Sequence, residues 1–336
     1  MVIGSSGMER GSRKWAVAGG CKVEENGWPR IAVLGAGAVG CYFGGMLARA
    51  GAPVTLIGRP PHVAAITSHG LFLDSLHFQE QIPVSASSQV SAVADAEIVL
   101  FCVKTLNTED AAKALVPHLS PGAALISLQN GVDNVERIRS TTQIDAYAAV
   151  VYVAAAMSAP GRVKHSGRGD LILGDLPGRA REDGDRQLQL ERMASLFMRA
   201  GVPCRVSDNV EGELWMKMVI NCAYNAVSAL GRAQYLRAGG NPWTRAVMVK
   251  ATEEALAVAR AAGVRLPEVN MVDAMLKISE SMANATSSTA QDLARGKRTE
   301  IDSLNGYLVR RGAKVGVETP VNQTLYALVK LLEESV

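Results

Sequence analysis

The sequence of 336 residues has no strong excess of charge of either sign and few aromatic residues. It carries 35 Lys and Arg against 32 Asp and Glu, for a net charge of +3, and the basic residues are scattered. Nucleic-acid binding requires a basic patch, which this pattern does not provide. The chain also contains no apolar run near the ~20 residues that span a bilayer. We therefore expect a globular protein whose partners are neither nucleic acids nor membranes.

Cysteine is scarce, and its spacing does not suggest a metal site. The five cysteines form no Cys-x-x-Cys pair and show no metal-ligand spacing with the five histidines, so no bound metal is predicted. Three of them, Cys41, Cys102 and Cys222, lie in apolar runs. Such thiols are typical of buried positions in a reducing compartment, which predicts a cytoplasmic protein.

The chain divides into three parts by composition. Residues 1–29 are polar and glycine-rich and lack the apolar stretch of a secretion signal, which predicts a disordered extension. The remaining length exceeds one ordinary core and predicts two domains, 30–208 and 209–336. The first alternates strand-like and helix-like segments, which indicates a parallel sheet with helices on its faces. The second is mainly helical and is a candidate face for a homodimer, although no apolar heptad run marks one.

The predicted elements follow from apolar periodicity and from turn residues. The predicted strands are Ile31–Leu34, Val54–Ile57, Glu97–Val103, Ala124–Leu128, Ala148–Ala154, Arg162–His165, Leu171–Leu173 and Cys204–Val206. The predicted helices are Tyr42–Ala50, Thr108–His118, Arg186–Ala200, Val210–Leu230, Trp243–Ala262, Glu268–Met282, Thr299–Gly312 and Pro320–Glu334.

A Gly-x-Gly-x-x-Gly motif ends the first predicted strand. Gly35 permits the tight turn, Gly37 lets the backbone approach a pyrophosphate, and Gly40 lets the following helix pack on the strand. The strand before the motif and the helix after it provide the context that a dinucleotide site requires. The first domain is thus predicted to be a Rossmann-type α/β domain; the loop residues expected at the cofactor are Gly35, Ala36, Gly37, Ala38, Val39 and Gly40.

The end of the second strand favours NADP(H) over NAD(H). An NAD site is expected to carry an Asp or Glu there, which binds the ribose 2′-hydroxyl. This sequence has Arg59 instead, and a guanidinium can bind a 2′-phosphate through two hydrogen bonds. The alternative is that Arg59 is a surface charge beside a turn, in which case the choice between NADP(H) and NAD(H) stays open.

Two polar residues follow later strands of the first domain. Lys104 ends one strand and is either a cofactor contact or an ordinary loop lysine, since ligands bind outside the carboxyl ends of such strands. Asn130 ends another and precedes a glycine. It is a candidate for the nicotinamide ribose or the substrate, although Asn-Gly is also a common turn dipeptide.

The first helix of the second domain carries a polar stripe. Glu213, Lys217, Asn221 and Asn225 are four residues apart and share one face, while the rest of the helix is strongly apolar. A buried helix of this kind points an ammonium and two amides inward, where Lys217 can act as a general acid for a carbonyl oxygen. The alternative is a solvated stripe with a Glu213–Lys217 ion pair.

A third polar segment runs from Thr286 to Asp302. Ser288 stands where a helix can begin, so it is a candidate N-cap as well as a ligand contact. Glu300 can contact the cofactor, lie against Lys217, or serve as an acid in the first turn of a helix.

With these three motifs in order, the sequence from about Arg30 to its C terminus resembles the ketopantoate reductase (2-dehydropantoate 2-reductase) family. The resemblance implies an NADPH-binding Rossmann domain and a helical domain with a cleft between them. It also departs from the family pattern on the substrate side, where Thr289 follows the two serines in place of the usual Met.

The resemblance also implies roles for single residues. It makes Lys217 the catalytic lysine and Glu300 the active-site glutamate, with Arg59 at the 2′-phosphate and Lys104 at the cofactor. The substrate and ribose contacts that it implies are Asn130, Asn221, Asn225 and Ser288.

Three functions are consistent with these motifs. The first is the NADPH-dependent reduction of 2-dehydropantoate to pantoate in pantothenate biosynthesis. The second is reduction of another 2-oxo acid, or an opine-type dehydrogenase activity. The third is an NADP-binding sensor without turnover, which has no need of an inward-pointing ammonium.

Overall fold

The computed structural model describes residues 27–177 and 185–335. Its strands are β1 (Ile31–Leu34), β2 (Val54–Ile57), β3 (Leu71–Asp74), β4 (Gln79–Ile82), β5 (Ser85–Ser87), β6 (Ile98–Phe101), β7 (Ala124–Ser127), β8 (Tyr147–Ala159), β9 (Arg162–Gly174) and β10 (Cys204–Val206). Its helices are α1 (Ala38–Arg49), α2 (Pro60–His69), α3 (Thr108–Leu115), α4 (Asn134–Thr142), α5 (Asp185–Arg199), α6 (Val210–Leu230), α7 (Tyr235–Gly240), α8 (Pro242–Ala261), α9 (Met271–Ser281), α10 (Ser288–Ala294), α11 (Asn305–Val315) and α12 (Pro320–Glu333).

The ten strands form one sheet in the first domain. Their order is β4-β3-β9-β8-β7-β6-β1-β2-β5, and β10 pairs with β9. The strands from β8 to β5 in this order are parallel, with Ile31 of β1 opposite Val54 and Ile98. Since parallel strands place their carboxyl ends at one edge, the loops after β1, β2, β6 and β7 meet there. The predicted Rossmann-type domain with a helical second domain is confirmed.

The predicted parallel sheet is confirmed for the strands from β8 to β5, whereas the segment 147–174 forms a hairpin. β8 and β9 are antiparallel, and one continuous strand replaces the two predicted at Arg162–His165 and Leu171–Leu173. The cause is the Pro160-Gly161 turn, in which Gly161 takes φ +68° and joins the strands as a hairpin. This hairpin extends β8 well beyond the end of β7, past the carboxyl edge of the sheet.

Both faces of the sheet are buried, as parallel strands require. Ile31 and Val33 of β1 belong to one apolar cluster, and Ala32 and Leu34 belong to another on the opposite face. The second cluster also includes Leu214 of α6. The same helix therefore begins against the sheet and continues into the core of the helical domain, where it packs on α8, α10 and α12.

Two expectations about local structure need correction. Residues 1–26 of the predicted extension lie outside the described residues, but Trp28 is 1% exposed and stacks under the Arg199 guanidinium at 4.0 Å. The folded part of the chain therefore begins before residue 30. No helix runs through Thr299 and Glu300; a short 3-10 turn at Ile301–Ser303 precedes α11. Thr299 instead donates its backbone N–H and its hydroxyl to the Glu333 carboxylate.

The remaining expectations concern thiols and membrane segments. Cys41 and Cys222 are buried free thiols, whereas Cys102 is only partly buried. Burial raises the pKa of the Cys41 thiol to about 12, so it stays protonated. Within the described ranges, no helix combines the length and the apolarity that crossing a bilayer requires.

Candidate active site

The glycine loop has the geometry of an anion-binding turn. Gly35 takes φ +112°, and a Cβ there would lie 2.6 Å from the Cys102 carbonyl carbon, so only glycine fits. A Cβ at Gly40 would lie 2.2 Å from the Gly35 carbonyl oxygen. Any side chain at Gly40 would therefore separate α1 from β1.

The N terminus of α1 is open to a ligand. Gly37 is its N-cap, no side chain caps the helix, and its first turn contains no acidic residue. A Cβ at Gly37 would meet open space. The free N–H groups and the helix dipole therefore face a region that can accept a phosphate, as the fit of a dinucleotide requires.

Arg59 follows β2 at the same edge of the sheet. It is exposed and immediately precedes α2. His62 of α2 lies near two positive charges, those of Arg59 and of Lys297. The pKa of the His62 imidazole is lowered, chiefly by burial and to a smaller extent by these two charges. The end of β2 is therefore a cationic region to which the helical domain contributes Lys297.

The Lys104 ammonium contacts the helical domain. It follows β6, and its ammonium forms an ion pair with the Asp292 carboxylate of α10 at 2.5 Å. The Asp292 side chain is 14% exposed, so the pair closes part of the boundary between the two domains.

Lys217 lies between the helical domain and the sheet. It projects from α6 toward the sheet and donates hydrogen bonds to Asn130 Oδ1, at 2.8 Å, and to the Val151 carbonyl oxygen. Burial lowers the pKa of Lys217 to about 8, while the negative charge of Glu300 opposes this shift. The alternative Glu213–Lys217 ion pair is wrong because Glu213 binds the Arg205 guanidinium at 2.6 Å.

Asn130 connects Lys217 to Glu300. Its amide nitrogen donates to Glu300 Oε2 at 3.3 Å, and Glu300 Oε1 accepts the Thr105 backbone N–H at 2.9 Å. An ammonium can only donate and a carboxylate can only accept, so the Asn130 amide fits in one orientation. Glu300 therefore acts on Lys217 through Asn130 as well as by its charge.

The serine that caps α10 is Ser287, not Ser288. Ser287 Oγ accepts the Ala290 N–H at 3.1 Å and donates to the Asn225 carbonyl oxygen at 3.0 Å, which fixes α10 on α6. Ser288 is exposed at the first position of the helix. The N-cap alternative thus belongs to its neighbour, and the Ser288 hydroxyl is available to a ligand.

Asn221 and Asn225 follow Lys217 on successive turns of α6. Asn225 is 3% exposed and Asn221 is partly buried. Neither amide side chain forms a hydrogen bond within the described ranges, so both can bind a small polar molecule. The described residues contain no group of His, Cys, Asp or Glu side chains suited to a metal ion.

Sequence reasoning missed two side chains of β9 beside this site, those of Arg168 and Asp170. Tyr152 lies next to Val151, and the Arg168 guanidinium stacks on its ring at 3.8 Å and binds Asp170. The one signal available was the Gly-Arg-Gly-Asp run at 167–170, which interrupts a strand pattern with glycine.

Comparison with known families identifies the family of this chain. The model described as "Ketopantoate reductase PanE/ApbA" matches residues 31–178, and "Ketopantoate reductase PanE/ApbA C terminal" matches residues 209–333. This chain belongs to the ketopantoate reductase family. The 2-dehydropantoate 2-reductase of Pyrococcus abyssi is 31% identical over 301 residues, which cover 90% of this chain and 97% of that protein.

Solved structures agree with this assignment. A PanE/ApbA family ketopantoate reductase from Ralstonia eutropha JMP134 is 50% identical, with a TM-score of 0.84, and the match covers 91% of this chain and 99% of that one. D-mandelate dehydrogenase, solved with NADH and anilino(oxo)acetate, is 25% identical with a TM-score of 0.83 and the same coverage. The family is one of oxidoreductases that act on a ketone or CH–OH group, with a nicotinamide cofactor.

Proposed function

We propose that this protein reduces 2-dehydropantoate to pantoate with NADPH, as a step of pantothenate biosynthesis in the cytoplasm. The observation that carries the proposal is Lys217, a buried ammonium with two fixed acceptors and a pKa of about 8. An ammonium has three N–H donors. Asn130 and Val151 take two of them, and the third remains for a substrate ketone.

When bound, the reduced nicotinamide supplies a hydride to the C2 carbonyl carbon of the substrate. Lys217 donates a hydrogen bond to the ketone oxygen and transfers its proton there as negative charge develops. The product is the 2-hydroxy acid, and neutral Lys217 then regains a proton from water. A general acid works best when its pKa is near the operating pH, which the burial of Lys217 provides.

The residues of the sheet edge fit NADPH. The loop from Gly35 to Gly40, with its open helix N terminus, suits the pyrophosphate. We assign the 2′-phosphate to Arg59 and a further cofactor contact to Lys104, which requires Asp292 to share or release that lysine. Glu300 and Asn130 orient Lys217 and border the position of the nicotinamide ribose.

The helical domain supplies neutral substrate contacts. Asn221, Asn225 and Ser288 present two amides and a hydroxyl on adjoining surfaces of α6 and α10. Such groups suit the hydroxyl and carboxylate of a small oxo acid.

The test is a spectrophotometric assay of NADPH oxidation. We expect turnover with 2-dehydropantoate, and a kcat/KM higher than that for pyruvate, 2-oxoisovalerate and phenylglyoxylate, with NADPH preferred over NADH. Preference for another 2-oxo acid would contradict the proposed substrate but keep the reaction class. Binding of NADPH without oxidation by any member of the panel would contradict catalysis.

A second candidate is the reduction of a different 2-oxo acid. It is supported by the similarity to D-mandelate dehydrogenase, whose ternary complex holds anilino(oxo)acetate, and by Thr289 in the substrate-side motif. Phenylglyoxylate in the panel tests this candidate directly.

A further inference from the structure

Arg168 has an unusual backbone conformation inside a strand. It takes φ +53°, which residues with a side chain rarely adopt, and it lies between Gly167 and Gly169. The pairing of β8 with β9 shifts here, since Tyr152 faces Asp170 and Val153 faces Arg168. Strain of this kind persists only where the surroundings hold it, and it is concentrated at functional sites.

The surroundings do hold this residue. The buried His165 donates through Nε2 to the Arg168 carbonyl oxygen, and its Nδ1 lies 3.1 Å from Ser75 Oγ. A Cβ at Gly169 would lie 2.2 Å from the Tyr42 hydroxyl, so the next position accepts only glycine. His165, Ser75 and Tyr42 therefore hold the backbone around Arg168 in this conformation.

The Arg168 guanidinium is fixed by Tyr152 and Asp170, and one of its edges has no bound partner among the described residues. Its Cζ lies 3.8 Å from the centre of the Tyr152 ring. Its Nε and Nη2 donate to the two carboxylate oxygens of Asp170 at 3.0 and 2.6 Å. The side chain is 53% exposed. A guanidinium has five N–H donors, so the edge that carries Nη1 remains for a second anion.

Arg168 is close to Lys217. The Tyr152 ring centre is 3.8 Å from Arg168 Cζ and 5.7 Å from Lys217 Nζ, so the two cations lie within about 9.5 Å of each other. The charge of Arg168 also contributes to the lowered pKa of Lys217. Each hydrogen bond spans ~2.9 Å. Since a 2-oxo acid carries its ketone and carboxylate on adjacent carbons, this upper limit is compatible with one molecule contacting both groups.

We propose that Arg168 binds the carboxylate of the 2-oxo acid while Lys217 donates to its ketone. The inference rests on the proposed function and deepens it. The substrate contacts assigned on the helical domain are all neutral, and Arg59 and Lys104 are assigned to the cofactor, so these assignments leave the carboxylate without a cation. Arg168 therefore selects 2-oxo acids over neutral ketones, and Asp170 and Tyr152 fix its direction.

The test compares Arg168→Met with Arg162→Met. Arg162 lies on the same strand and stacks on Phe72 at 4.1 Å, so it is a matched control for the loss of a stacked guanidinium. For Arg168→Met we expect the KM of the 2-oxo acid to rise about 10- to 100-fold, which corresponds to the loss of a charge-assisted contact. The lactone of 2-dehydropantoate keeps the ketone but has no carboxylate, so its KM should not change. Arg168→Lys should recover part of the loss.

A binding measurement separates this inference from the proposed function. Oxamate, an unreactive 2-oxo acid analogue, is titrated calorimetrically into the protein with NADP⁺. We expect the Kd of oxamate to rise about 10- to 100-fold in Arg168→Met and to stay unchanged in Arg162→Met. An unchanged oxamate Kd, or equal losses with acid and lactone, would overturn the role of Arg168. Absence of turnover with 2-dehydropantoate in the unaltered protein would overturn only the proposed function.

Discussion

Lys217 and Asn130 lie 87 positions apart in the sequence and share a hydrogen bond of 2.8 Å. Lys217 belongs to the helical domain, and Asn130 belongs to the turn after β7 of the sheet domain. The bond therefore holds the ammonium over the edge of the sheet where we propose that the nicotinamide cofactor binds. It also passes the influence of Glu300 to Lys217 through one amide. The first two predictions concern this chain of contacts.

Replacing Lys217 with Met should abolish most turnover. The general acid contributes about 10²- to 10⁴-fold, and kcat should fall within that range. NADPH binding, followed by the fluorescence of the nicotinamide, should remain within twofold of the unaltered protein. Lys250→Met is the matched control, since Lys250 is an exposed lysine paired with Glu253. A kcat near the unaltered value in Lys217→Met would remove Lys217 from the chemistry.

The pH profile should report the ammonium of Lys217. Burial lowers its pKa to about 8, so the protonated acid is present below this pH and kcat should fall as pH rises through it. The Glu300 carboxylate raises the pKa of Lys217, so Glu300→Gln should move the alkaline fall to lower pH. The measurement is kcat against pH for both proteins at saturating substrate. A fall that stays in place, or moves upward, would contradict the coupling.

Arg59 should decide between the two nicotinamide cofactors. Arg59→Met removes the proposed contact with the 2′-phosphate, and the KM for NADPH should rise about 10- to 100-fold. The KM for NADH should change little because NADH has no phosphate at that position. Arg260→Met, an exposed arginine of the helical domain, is the control. Equal losses with both cofactors would show that Arg59 acts on structure and not on the phosphate.

The two adjacent serines should separate stability from binding. Ser287→Ala removes the cap of α10 and its bond to the Asn225 carbonyl, and should cost about 1 kcal/mol in the free energy of unfolding. Ser288→Ala should leave the thermal midpoint unchanged but raise the KM for the 2-oxo acid, since Ser288 is exposed at the start of the helix. Thermal unfolding and steady-state kinetics of both variants provide the comparison. A loss of stability in Ser288→Ala together with a raised KM in Ser287→Ala would contradict these two assignments.

Local patterns in the sequence were sufficient for the parts of the site that depend on neighbouring residues. Gly35, Gly37 and Gly40 predict the turn and the helix N terminus because Gly35 and Gly40 leave no room for a Cβ and Gly37 keeps the loop open to a ligand. The four-residue spacing from Lys217 to Asn225 predicts one helix face because an α-helix repeats every 3.6 residues. The bounds of α6, Val210–Leu230, agree with the prediction.

Elements that depend on distant partners were not predictable in this way. Thr299 and Glu300 have helical surroundings in the sequence, but their polar groups bind Glu333 and Thr105, far away in the chain. The short strands β4 and β5 lack an apolar pattern of their own, and the three apolar residues of β3 are too few to distinguish a strand from a helix. Their backbone groups are satisfied by pairing with β9, β2 and each other.

The sequence by itself determined the nucleotide-binding turn, the division into a sheet domain and a helical domain, and the inward stripe on α6. Only the tertiary structure decided which groups meet: Lys217 with Asn130, Lys104 with Asp292, and Arg168 with Tyr152. The physical reason is that turns and helix faces arise from contacts within a few residues. Ion pairs, stacking and shifted pKa values depend on burial and distance between segments that only the folded chain brings together.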